Sequence, residues 1–564
     1  GIAVRRNRLA SQILDNLNKA ATVGFPYAEI AARLKAAWSG ESSRLRIYDQ
    51  VQEVATAFRE HCLANSLLDF SLQIEVFTQH LLSRPEGQAY LDRYQHIIAD
   101  NIEEDAPVTH DLLRGRLRRC QSALLIYDRD AGYRAFLGAD PRSAYALKSL
   151  CRQWAVLERC QTASDDLQAL GYQLSPNLRR LDEHPKGNVR AALSYTSHRF
   201  HPQMLDWVAD EISRLVTSEH VPPGEIAVLA PYLSDALRFS LATRLERYGI
   251  PTVSHRPSRA LKEEAGTRCL LTLSALAHPQ WKICPPLFDV TQMLAQAIEG
   301  MDLVRAAQLA QIIYHPKDKE PALTAFRRIN PDMQQRITYL LGGRYDDLYD
   351  WLERYRQVLP LEMDHFLARL FADLLSQPGF GYHHDLDAAR AAANLIESVR
   401  KFRQAVRSDE GAPPVGREYL EMVGRGIVAA QYIASWQEEN PQAVLLAPAY
   451  TLLMRNRAVD YQFWIEVGSV GWWERPYQPL THPYVLTRHW PQDKPWSDAD
   501  EYLARQMTLE RLLLGLIRRC RKGIYLGISD LGERGYEQRG PLLQTFQGIL
   551  RHLLPQESEG GGSA

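Results

Sequence analysis

At 564 residues, with 45% apolar and 24% charged side chains, the chain is long enough for several domains with sizeable cores. Its formal net charge of −1 gives no global attraction to nucleic acid or membrane, so any polyanion-binding surface has to be a local patch. Seven cysteines, scattered without CxxC spacing, argue against a disulfide framework or a zinc site and for reduced thiols in a cytoplasmic protein; there is also no signal peptide and no apolar run long enough to span a bilayer.

Residues 1–82 read as helices: Ile13, Leu17, Ala20 and Ala21 recur at helical spacing, Ala28–Trp38 follows Phe25-Pro26, and Leu45–Phe77 is one long amphipathic stretch. Residues 83–185 change character. Two short apolar runs, His96–Ala99 and Ala123–Tyr127, each stop at a carboxylate, Asp100 and Asp128, with an amphipathic segment between them, the pattern of a βαβ unit. In open parallel sheets ligands sit beyond the carboxyl ends of the strands, so Asp100 and Asp128 stand where a phosphate-bound metal belongs, although an Asp there also serves as an ordinary helix cap. A helix is expected over Pro141–Arg159.

A second α/β region covers 186–260 and 440–553. Strands are expected at Val189–Tyr195, Gly224–Pro231, Ile250–Val253, Ala443–Pro448 and Gln462–Val467, with helices at His201–Val216 and Ala236–Tyr248. Between its halves, residues 261–439 are helical by pattern, from Leu270–Ala277 to Leu386–Val406, with a loop at Ser408–Pro414. Trp472, Trp473, Tyr477, Tyr484 and Trp490 form a dense aromatic cluster, suited to base stacking but more simply to a covered patch or a protein interface. Arg518, Arg519, Arg521 and Lys522 are among the strongest basic runs. The missing initial Met and the terminal Gly-Gly-Gly-Ser-Ala suggest trimmed or appended ends, and 554–564 read as a flexible tail.

These stretches resemble the UvrD/PcrA/Rep helicases of superfamily 1. Asp100–Asp105 is similar to motif II, DE(F/Y)QDTN, and Asp128–Ala139 to motif III, GD(x)DQSIY(x)(W/F)RGA; Asn65–Leu72 resembles the LDFDDLL that closes the family's 1B insertion, and Pro222–Ser254 the start of its domain 2A. The resemblance implies an α/β protein with an incomplete first RecA-like domain (83–185) carrying a helical 1B-like region (1–82), and a second RecA-like domain (186–260 and 440–553) with a large helical 2B-like insertion (261–439).

The scaffold of the family is matched better than its chemistry. Asp100 keeps the place of the Mg²⁺-holding Asp, but the general base of motif II is replaced by Asn101, which cannot accept a proton, and such a base is worth about 10²–10⁴-fold. Ala131 replaces the γ-phosphate-sensing Gln of motif III, and Thr162, in Arg159-Cys160-Gln161-Thr162, falls where motif IV has its Arg. No GxxxxGK(S/T) phosphate loop occurs in the chain. Of motif VI, Arg511 and Arg519 stand at the places of family arginines, Arg519 at that of the arginine finger. The resemblance therefore implies no confident catalytic residue and no cofactor, with ATP and Mg²⁺, the latter on Asp100, only if nucleotide still binds. It offers Phe136, Tyr133, Arg134, Arg455 and Arg457 as contacts to single-stranded DNA.

Three functions stay open. The first is a pseudo-helicase, a DNA-binding or scaffold subunit in DNA metabolism. The second is an ATP-dependent 3′–5′ helicase or translocase whose phosphate-loop segment is missing here or supplied by a protein partner that completes the first RecA-like domain. The third is a protein-interaction scaffold with no nucleic-acid role.

Overall fold

Six strands form one parallel sheet: β3 (Leu193–His198), β4 (Ile226–Ala230), β5 (Thr252–Ser254), β6 (Val444–Pro448), β7 (Val459–Trp464) and β8 (Cys520–Ser529), after the earlier pair β1 (His96–Ala99) and β2 (Ser122–Leu125); β4 and β6 are aliphatic runs, while β3 and β7 are richer in aromatic and polar residues. The spatial order of the six is β3-β8-β7-β4-β6-β5. The computed structural model describes residues 6–157, 160–175, 187–254, 264–317, 320–406, 414–425, 442–474 and 477–553. The protein is thus a mixed α/β fold with parallel sheets, and no helix among the described residues is long and apolar enough to cross a membrane.

The chain divides into two compact units, Gly1–Ser11 with Pro257–Trp436, and Gln12–Arg256 with Gln437–Ala564. In the larger unit the central strands of the six-stranded sheet are buried on both faces, as parallel sheets require, while the edge strands β3 and β5 are part exposed. All five residues of β4 are buried: Ala227 and Leu229 point into one apolar cluster, Ile226, Val228 and Ala230 into another. The first cluster is closed by the helices Asp165–Leu174, Asp498–Ile517 and Pro541–Leu553, the second by His201–Thr217 and Asp235–Arg247.

β1 and β2 form a separate two-stranded parallel sheet, pairing His96 with Ser122 through Ala99 with Leu125. The helix Pro107–Leu117 connects them. One face, Ile97, Ala99, Leu125 and Tyr127, packs on Ile102, Leu113, Ala144 and Leu147. The other presents Ile98, Leu124 and Ile126, which are 77%, 54% and 44% exposed. The N-terminal helices of this unit bury Leu17, Ala20, Val23, Ile30, Leu34 and Tyr48 against one another and against Leu486.

The smaller unit's described strand-free stretch packs helices Ala265–Ala277, Leu287–Ala297, Leu303–Ile313, Tyr339–Arg356, Met363–Leu370 and Leu386–Ala405 around one core. Within it His278 stacks on Trp281 at 4.0 Å, with Nδ1–H donating to Ser274 O and Nε2 accepting from the Tyr355 hydroxyl, each at 2.8 Å. Burial holds the imidazole's pKa down at about 4.

Several expected boundaries shift for local reasons. The helical stretch Leu45–Phe77 is interrupted after Ala64: Ser66 turns left-handed (φ 55°), and Asp69 caps the next helix by accepting the Ser71 and Leu72 N–H groups. The helix expected over Pro141–Arg159 ends at Leu150, because Trp154, Val156 and Leu157 beyond it face solvent and give a helix nothing to pack on. β3 starts four residues later than expected, since Asn188 folds its side chain onto the Arg190 N–H in a turn before the strand pairs with β8. Residues 408–413 of the expected loop at Ser408–Pro414, Arg159 and the tail 554–564 lie outside the described residues.

Candidate functional site

The chemistry-bearing residues of the larger unit gather where β1 and β2 end. Asp100 is exposed, and its Oδ1 accepts the Asn101 N–H at 2.8 Å. Asn101 itself sits in the left-handed region (φ 53°, ψ 41°) and turns the chain into the single turn Ile102–Glu104. Asn tolerates that conformation better than Glu does, so the residue that removes a proton acceptor also fits the backbone it occupies.

Glu103 and Glu104 then tie this turn to the loop after β2. Glu103 is fully buried; its Oε2 accepts the Asp128 N–H at 3.0 Å. Burial, with Asp128 and Glu104 adding like charge, pushes its carboxyl up to about 7. Glu104 accepts three successive backbone donors, Gly132 N–H at 2.7 Å and Tyr133 N–H at 2.8 Å on Oε1 and Arg134 N–H at 2.9 Å on Oε2. A carboxylate taking three N–H groups fixes a loop strongly, because each bond is charge-assisted. From the other side Lys19 Nζ donates to Phe136 O at 2.8 Å.

That loop divides its side chains between the interior and solvent. Ala131 and Tyr133 are buried. The Tyr133 ring lies so close to the helix Asp498–Ile517 that a Cβ on Gly515 would sit 2.5 Å from it, so the glycine admits the ring. Arg134 is exposed, with its Nε 3.1 Å from Met454 Sδ, and Phe136 is half-exposed, edge-on to Tyr450 at 5.8 Å. Of the three residues expected at this place, the Tyr133 ring lies in the core, and the outward pair is Arg134 and Phe136.

The expected arginines have specific places. Arg519 donates to Asn456 Oδ1 at 2.9 and 3.2 Å and to Gly515 O at 3.1 Å, and lies over the Tyr133 ring. Arg511 lines a crevice with Tyr133, Phe136, Tyr450 and Tyr484; at about 10 Å³ it is no larger than a single water needs. Arg455 follows the helix Ala449–Met454 directly, and Arg457 reaches away from the loop to donate to Gly224 O at 2.5 Å. Thus Tyr133, Phe136, Arg511 and Arg519 come together, whereas Arg457 does not join them.

The basic run is largely neutralised within the fold. Arg518 bridges Asp128, at 3.1 Å, and Asp130. Arg521 pairs with Glu225 at 2.5 Å and Asp460 at 2.9 Å, and Lys522 with Asp460 at 2.7 Å. Of the aromatic cluster, Trp472 is buried and donates to Glu466 O at 3.1 Å, Tyr484 stacks on Trp496, and Tyr477 is exposed.

Glu104 is occupied by backbone donors and Asp128 and Asp130 by Arg518, which leaves Asp100 as the exposed carboxylate at the strand ends. Among the described residues no three His, Cys, Asp or Glu side chains are placed to hold a metal ion. The roles of Glu104 and Gly515 were missed by sequence reasoning; a glycine inside an otherwise amphipathic helix was the available signal. No protein-family model matches this chain, and no curated protein matches it.

Proposed function

We propose that this chain is a catalytically degenerate UvrD-like helicase acting as a DNA-binding or scaffold subunit in DNA metabolism. On this reading β1 and β2 are the remnant of the first RecA-like domain, the six-stranded sheet is the second, and the helical unit is the 2B-like insertion. The supporting observation is the loop Gly132–Gly138: Glu104 and Lys19 hold it so that Arg134 and Phe136 face outward, while the neighbouring carboxylates are engaged inside the protein. A cation beside an aromatic ring on a fixed loop is chemistry that holds a single strand, through one phosphate and one stacked base.

The test is fluorescence anisotropy with a labelled single-stranded oligonucleotide. Binding that weakens with salt is expected, and Phe136→Ala should weaken it by about 1–3 kcal/mol, the worth of one base–aromatic stack. Affinity unchanged in both Phe136→Ala and Arg134→Ala would reject this loop as the DNA contact.

A further inference from the structure

The stretch Pro141–Leu157 follows directly on the loop that carries Arg134 and Phe136, and the Pro141 ring lies against Gly132, where a Cβ would come within 2.5 Å of it. It holds three cations, Arg142, Lys148 and Arg152, and no carboxylate. The run Arg518–Lys522 has its charge met by four carboxylates, whereas among the described residues no carboxylate pairs with these three.

The stretch is a short helix, Pro141–Tyr145, tightening into the 3₁₀ turn Ala146–Leu150. Its inner side is fixed: the Ser143 hydroxyl is 2.8 Å from the His110 ring, and Ala144 and Leu147 are buried. Residues three apart are neighbours on a helix and eclipse in a 3₁₀ turn, so Arg142, Tyr145 and Lys148 follow one another along the outer side. Lys148 Nζ donates to the Tyr145 hydroxyl at 3.4 Å and sits 3.6 Å over the Trp154 ring, while the Tyr145 ring meets Tyr127, just past β2, at 5.4 Å. Tyr145 and Trp154 remain 48% and 65% exposed.

The result is a line of cation, ring, cation, ring. A single nucleic-acid strand alternates phosphate and base in the same way, and cations take the one while aromatic faces take the other. A duplex suits the line less, because its bases are stacked on one another. An acidic peptide would use the cations and leave the rings without planar partners.

We propose that Arg142, Tyr145, Lys148 and Trp154 form a second contact line for single-stranded DNA, continuing from the loop Gly132–Gly138, with the rings stacked on bases and the cations on phosphates. The inference rests on the DNA-binding reading above and carries the strand's path beyond Phe136.

Fluorescence anisotropy of the full chain tests this with two labelled probes of equal length, a single-stranded oligonucleotide and a strand of abasic sites, which keeps the phosphates and lacks the bases. Trp154→Ala and Tyr145→Ala should each weaken binding of the first about 5- to 150-fold and leave the abasic strand unaffected, and Trp154→Phe, which keeps a ring, should restore most of the loss. Arg142→Ala should lower the salt slope by about 0.7 on both probes. Tyr339→Ala, at an equally exposed ring of the helical unit, should change neither. Oligonucleotide binding that survives Trp154→Ala and Tyr145→Ala, or falls equally on the abasic strand, would overturn the line and leave the Phe136 contact standing. A wild-type chain that binds no single strand would reject the DNA-binding reading and the line with it.

Discussion

The two parallel sheets of the larger unit place similar sequences in opposite circumstances. In β4 the run Ile226–Ala230 is buried at every residue, and in β1 the run His96–Ala99 is buried at none. Propensity does not separate them, since both are short runs rich in aliphatic residues; cover does. Where helices lie on both faces the sheet forms a core, and where they lie on one it forms a surface that ends in exposed functional groups.

The largest expected effect sharpens that contrast. Phe463, fully buried in β7, should cost about 3–5 kcal/mol when cut to Ala, whereas Ile98→Ala on the open face should change stability by less than about 0.5 kcal/mol. Urea unfolding of the two variants measures both, and a similar loss in each would break the comparison. Next come the supports of the loop after β2. Gly515→Ala drives a methyl into the Tyr133 ring and should cost about 1–3 kcal/mol. Glu104→Ala strands the N–H groups of Gly132, Tyr133 and Arg134 and should cost a similar amount, about 1–3 kcal/mol.

The units should also differ in their response to pH. Glu103 has its folded pKa raised to about 7, so its contribution is fully present below the ordinary carboxyl value and is lost as pH rises through 7. His278 in the helical unit has its folded pKa lowered to about 4, so its contribution is present above the ordinary imidazole value and is lost as pH falls toward 4. Thermal melts from pH 4 to 8 should therefore flatten on the alkaline side in Glu103→Gln and on the acid side in His278→Gln. A reversed pattern would contradict the burial argument for both. The smallest effect concerns salt. Lys522→Ala should leave the salt slope of DNA binding unchanged because Asp460 already holds the ammonium, whereas Arg134→Ala should lower it by about 0.7, the value of one single-strand phosphate contact.

Much of this was legible in the sequence, and the remainder has definite physical reasons for being hidden. The strands before Asp100 and Asp128 could be read because an apolar run stopped by a carboxylate is a local signal, although the second ends at Leu125 rather than at the expected Tyr127. The direction of Tyr133 could not, because its neighbour Gly515 lies 382 residues away and on another element. The neutralisation of the basic run from Arg518 to Lys522 could not be read, because its partners Asp128, Asp130, Glu225 and Asp460 come from three separate stretches. Asn101 read as a lost catalytic group, and only its backbone angles reveal that it also makes a left-handed turn. The helix expected to Arg159 failed because periodicity describes a stripe and says nothing of whether anything covers it.

The most direct measurement is a paired titration on one preparation of the chain, with labelled single-stranded DNA and with a labelled ATP analogue plus Mg²⁺, each at low and physiological salt. Salt-sensitive DNA binding without nucleotide binding is expected. Tight nucleotide binding by this chain alone would contradict it.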